Sequence, residues 1–184
     1  MKQAFLAGAA LALLAPAGAS AEPTKTDRTN AAAECRAERG GTAATREAFR
    51  VKYGTNKNGK NAFGKCVSRR SQDEETERQD APRNAAKECK DERTADPQAF
   101  TAKYGTNKNG KNAFGKCVSG KAKAHEDEAD RQDAQQAEQR KEAARECAAE
   151  RSAIGREAFA TKYGTNRNKR NAFGRCVSQK AKAG

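Results

Sequence analysis

Beyond Ala21 the chain contains no leucine, and nowhere does it contain tryptophan; aromatic residues make up 5% of it and histidine occurs once. The aliphatic side chains left past that point are Val51, Val67, Val118, Ile154 and Val177. So little apolar surface cannot offset the entropy of ordering one core shared by residues 22–184. A conventional single-core domain is thereby excluded, and the chain must be small units held by something else. A close C-x-x-C pair is also missing, and the one histidine, His125, lies in a charged stretch, so a structural zinc site is not expected. Nor is there a nucleophile–base pair or a glycine-rich nucleotide loop. No enzymatic activity, cofactor or small-molecule substrate is expected.

What is present begins with an export signature. Lys2 supplies a positive start, Ala4 to Ala15 form an apolar run, Pro16 and Gly18 break it, and Ala19-Ser20-Ala21 fits a small-x-small cleavage site. The run is shorter than the roughly 20 residues that span a bilayer. Residues 1–21 therefore read as a signal peptide cleaved near Ala21, and the product as secreted or periplasmic, with no transmembrane segment after removal. Six cysteines, an even number, suit such an oxidising destination.

The dominant feature is a threefold internal repeat. Each copy opens on Glu-Cys-x-x-Glu-Arg (Glu34 to Arg39, Glu88 to Arg93, Glu146 to Arg151) and closes on a block from Ala-Phe to Cys-Val-Ser. Phe and Cys stand 17 residues apart in every copy, at Phe49/Cys66, Phe100/Cys117 and Phe159/Cys176. The Arg-to-Phe interval before them varies, at 10, 7 and 8 residues, which marks an exposed loop between two packed pieces. One cysteine per piece makes within-module bridges the simplest pairing: Cys35–Cys66, Cys89–Cys117 and Cys147–Cys176. Six cysteines allow about 15 connectivities, so this pairing is inferred from the repeat.

The reading is an all-α chain of three disulfide-closed helical modules joined by charged, partly helical or disordered linkers. Its divisions are a disordered N-terminus 22–29, module 1 at 30–68, an acidic linker 69–82, module 2 at 83–119, an acidic helical linker 120–139, module 3 at 140–178, and a basic tail 179–184. Each module is expected to hold three short helices, with Phe49, Tyr53, Phe63 and Val67 forming the small core of the first. Asp96-Pro97 reads as an N-cap and first helical residue, and Gly54, Gly105 and Gly164 as helix stops. Asn58-Gly59 signals a hairpin turn, but Lys169 replaces that glycine in module 3, which argues against positive φ there. Pro82 marks a hinge in the first linker, and Asp127/Arg131 and Glu142/Arg145 are spaced to pair along the second.

Charge is distributed unevenly. No acidic residue occurs between Glu47 and Asp73, between Asp96 and Glu126, or after Glu157. The candidate anion-binding residues in those stretches are Lys52, Lys57, Lys60 and Lys65, then Lys103, Lys108, Lys111 and Lys116. Module 3 offers Lys162, Arg167, Lys169, Arg170 and Arg175. The modules carry formal charges of +5, +4 and +6 against −2 and −3 for the linkers. Such a face, with Asn, Thr and Gly interspersed, can bind a polyanion through cations and exposed backbone N–H groups. The expected partner is a cell-envelope polymer, an acidic polysaccharide or a nucleic acid. Competing readings are a spacer or protein-interaction module with incidental charge, and a small inhibitor-like or toxin-like scaffold. The Asn-rich loop lacks the carboxylates of a calcium loop, so metal binding is not expected. Glu38 and its equivalents read as anchors to the following segment.

The motif Lys-Tyr-Gly-Thr-Asn-Lys-Asn-x-Lys-Asn-Ala-Phe-Gly-Lys-Cys-Val-Ser resembles repeats of uncharacterised exported bacterial proteins. The resemblance covers the second half of each module and implies no activity.

Overall fold

The computed structural model describes residues 22–183; the signal-peptide reading falls outside them. Every regular element among the described residues is a helix: α1 Lys25–Arg39, α2 Ala43–Tyr53, α3 Ala62–Ala95, α4 Pro97–Tyr104, α5 Ala113–Ile154, α6 Arg156–Tyr163 and α7 Ala172–Ala183. The three disulfides join Cys35 to Cys66, Cys89 to Cys117 and Cys147 to Cys176. All six cysteines are buried. Around each bridge packs a minimal core, such as Phe49, Tyr53 and Ala62 in module 1, with Phe63 and Val67 partly covered. Closing a loop of 31, 28 or 29 residues in this way contributes about 3.5–4 kcal/mol by loop-closure entropy. That is comparable to the whole stability of a unit of this size.

The modules are not beads on a string. The third helix of module 1 and the first of module 2 are the two ends of α3, which runs for 34 residues. Modules 2 and 3 share α5, of 42 residues, in the same way. α3 and α5 pair antiparallel, with Ala81 and Ala85 against Ala122 near one end and Arg70 against Asp133 further along. Module 2 is the bend of this hairpin, and modules 1 and 3 meet at its other end. There Ala44 and Ala48 of α2 pack on the module 3 core of Cys147, Phe159, Phe173 and Val177. The Arg151 guanidinium donates to both Glu47 carboxylate oxygens at 2.7 and 2.8 Å. Gly174 lies so close to Val51 that a β-carbon at 174 would collide with it.

Several expectations are corrected. Residues 22–29 are not disordered: α1 starts at Lys25 behind a Thr24/Asp27 capping box, and Asp27 is buried facing Arg78 of α3. Pro82 is not a hinge but lies inside α3, exposed on a helix held by packing on both sides. The tail is helical to Ala183. On the second linker Arg131 pairs with Glu128, three residues away, rather than with Asp127. Gly54, Gly105 and Gly164 do follow helices, but at φ of −71°, −72° and −78°. Glycine is needed there because a β-carbon would sit 2.5 Å from the carbonyl oxygen of Arg50, Thr101 or Ala160. The left-handed position is five residues on, at Gly59 and Gly110, and Lys169 adopts it too, at φ 53°.

Candidate anion-binding surface

Each module is pinned by one repeated set of polar contacts. The glutamate three residues after the first cysteine accepts from the lysine and tyrosine that end the second helix. In module 1, Lys52 Nζ and Tyr53 Oη donate to Glu38 at 2.6 and 2.8 Å. In module 2, Lys103 and Tyr104 reach Glu92 at 2.7 and 3.0 Å. In module 3, Lys162 and Tyr163 reach Glu150 at 2.6 and 3.0 Å. A third cation comes from the last helix, four residues past the second cysteine. Arg70 contacts Glu34 and Glu38, Lys121 contacts Glu88 and Glu92, and Lys180 contacts Glu146 and Glu150. The network therefore ties all three helices of a module together.

Module 1 holds the most buried version. Glu38 is 4% exposed. Burial pushes its carboxyl up, but donation from Lys52, Tyr53 and Arg70 outweighs this and holds it below the usual range. The Tyr53 hydroxyl is pushed up by its own burial and by the adjacent carboxylate. Arg70 also pairs with Asp133, so this anchor is built into the α3–α5 seam.

The loop after each Tyr-Gly is closed by an asparagine clasp. Asn61 Oδ1 accepts from the backbone N–H groups of Thr55 and Asn56 at 3.2 and 3.4 Å. Its Nδ2 donates to Thr55 Oγ1 at 2.7 Å. Asn58 Oδ1 accepts from Lys60 N at 3.1 Å, and Gly59 N donates to the Asn56 carbonyl at 3.1 Å. Asn112 and Asn109 repeat these contacts in module 2, as do Asn171 and Asn168 in module 3. Thr55, Asn56, Gly59 and Lys60 thus donate their amides within the loop, while the amides of Lys57, Asn58 and Asn61 donate to no acceptor among the described residues.

The expected anion-binding residues divide accordingly. Lys52, Lys103 and Lys162 pair with those glutamates and lie within 4.7–5.2 Å of their tyrosine ring centres; Lys52 is half-buried, while Lys103 and Lys162 remain exposed. Lys57, Lys60, Lys65, Lys108, Lys111, Lys116, Arg167, Lys169, Arg170 and Arg175 are all exposed. None of these has a carboxylate within ion-pair distance among the described residues. Sequence reasoning does not reach Arg70, Lys121 and Lys180, because the repeated motif ends at Ser68, Ser119 and Ser178. The signal was there: a basic residue follows the second cysteine by four in every copy. It also missed the guanidinium–phenyl stack of Arg39, Arg93 and Arg151 over Phe63, Phe114 and Phe173. His125 is half-exposed and within 2.9 Å of Glu88.

Among the described residues no helix is long and apolar enough to cross a membrane. No protein-family model matches the chain, and no curated protein or solved structure matches it either.

Proposed function

We propose that this is an exported, non-catalytic protein that binds anionic polymers through the clasped loops of its three modules. One observation carries the reading. Within each fixed block the lysine that could be neutralised internally is neutralised, while the loop cations beyond it point to solvent without partners in all three copies. A loop already clasped needs no further backbone ordering when its cations meet a phosphate, sulfate or carboxylate, which leaves only the side-chain rotamers to be fixed. Several loops on one chain add avidity where the polymer can reach more than one. The three buried disulfides fit an oxidising compartment, and the apolar run at residues 4–15 would direct the chain there.

The test is binding of residues 22–184 to DNA, heparin-like polysaccharide and an anionic cell-wall polymer across a salt series. Counterion release predicts an affinity that falls linearly in log–log form, with a slope of several units. Undetectable binding at low salt refutes the reading. The spacer alternative draws on the continuous α3 and α5 helices, and it predicts no salt-dependent polymer binding.

A further inference from the structure

Module 3 departs from its sister copies in one direction. Where they carry Lys57, Lys60 and Lys65, or Lys108, Lys111 and Lys116, it carries Arg167, Arg170 and Arg175. It also places Lys169 where they have Gly59 and Gly110, and Arg156 where module 2 has Pro97. Lys169 is the one non-glycine residue at positive φ among the described residues. A β-carbon is strained in that region, and both sister copies show the glycine that relieves it.

Lys169 and Arg170 line a cleft of about 390 Å³ together with Arg151 and Arg156, and with Phe159 and Phe173 among its apolar lining. Glu47 is its one carboxylate, and Arg151 already engages both of its oxygens. Arg151 is further fixed 4.6 Å over the Phe173 ring. Arg156, Lys169 and Arg170 are exposed, with no carboxylate partner among the described residues. The module 1 counterpart of Arg156 is Arg46, which is tied to the Gly41 carbonyl at 2.6 Å. A guanidinium fork matches the paired oxygens of phosphate in a way an ammonium does not. Of the three exchanged arginines Arg170 lines the cleft, where it stands beside the added Lys169 and Arg156.

We propose that this cleft binds the phosphate group of a phosphate-bearing polymer, making module 3 the chain's phosphate-selective site. The proposal rests on the polyanion reading above and names its anion and its location. Calorimetric titration of the disulfide-bonded chain with inorganic tripolyphosphate tests it, alongside polyglutamate and a short oligodeoxynucleotide. Tripolyphosphate is expected to bind at one site per chain, and polyglutamate more weakly. Lys169→Gly should weaken tripolyphosphate by about tenfold, the loss of one charge-assisted contact, while raising the unfolding temperature. Gly59→Lys should create no second site. Competition by the oligonucleotide assigns the phosphate to nucleic acid. Its failure to compete, with tripolyphosphate still bound, assigns it to a non-nucleotide polymer, and both results uphold the site. Unchanged tripolyphosphate affinity in Lys169→Gly overturns the proposal, as do equal binding of polyglutamate and no binding of tripolyphosphate at low salt. If polymers still bind in those cases, the broader reading stands; if none binds, both fall.

Discussion

At the scale of single residues, the same side-chain type serves two ends within one block. Lys52 and Lys57 are five positions apart, yet the first closes a helix onto Glu38 and the second faces water. Spacing alone gave no way to separate them, because the acid that captures Lys52 sits fourteen residues earlier. The role of Glu38 as an anchor to the following segment was legible, since Glu recurs at that position in every copy. Its replacement by Ala should be costly. Arg70, Lys52 and the Tyr53 hydroxyl would be left largely buried without their shared acceptor, a loss of roughly 3 kcal/mol. A fall of the urea midpoint with unchanged slope checks this. Because the folded carboxyl titrates below its unfolded value, the stability Glu38 lends is present at neutral pH. It is lost as pH falls below the ordinary Glu range and through the depressed folded value.

At the scale of elements, helix identity was legible and helix extent was not. Ala-rich runs, Asp96-Pro97 and the Phe–Tyr spacing all predict helices that exist. Pro82 and the charge-dense linker predict a break that does not. Proline weakens a helix locally, but tertiary packing decided the matter here. Ala81 and Ala85 are covered by Ala122, and upstream of the proline Asp27 of α1 meets Arg78 and Asp133 of α5 meets Arg70. The helical hairpin carries a price of like charge. Glu74 of α3 faces Glu34 and Asp130, their carboxylate oxygens lying within 4.8 Å of one another. Its own burial, then these neighbours and Glu77, push its carboxyl up to about 8. A raised acid favours the folded state only while protonated, so stability should decline as pH rises from about 4.5 to about 8. Thermal unfolding across that window should show the decline in the native chain, and Glu74→Gln should flatten it. A native chain with equal midpoints at both ends of the window would contradict this placement of α1, α3 and α5.

At the scale of the whole molecule, three copies of one sequence do not make three equivalent modules. Module 2 is the bend of a hairpin, while modules 1 and 3 close on each other. No repeat alignment contains that information, because it depends on which copy's surface meets which. The glycine before the basic residue of the last helix exposes the asymmetry. Gly64 and Gly115 have open space around them, but Gly174 abuts Val51. Gly174→Leu should therefore destabilise the chain by about 1–3 kcal/mol through overpacking. Gly115→Leu should be neutral or mildly stabilising, since it replaces a poor helix former on an open face. Thermal melts of the two variants, side by side, check the closure of module 1 on module 3.

The division of the cations into anchors and ligand-facing groups is tested by one paired comparison. One variant would neutralise the outward loop set, Lys57, Lys60, Lys108, Lys111, Arg167, Lys169 and Arg170, to Gln; the other would neutralise Lys52, Lys103 and Lys162. Oligonucleotide affinity across a salt series, with a thermal melt of each protein, separates the two roles. The loop variant should lose most of the affinity and of the salt slope with its unfolding temperature kept or raised. The anchor variant should lose stability while the folded fraction binds as before. Undiminished binding by a folded loop variant would contradict the account.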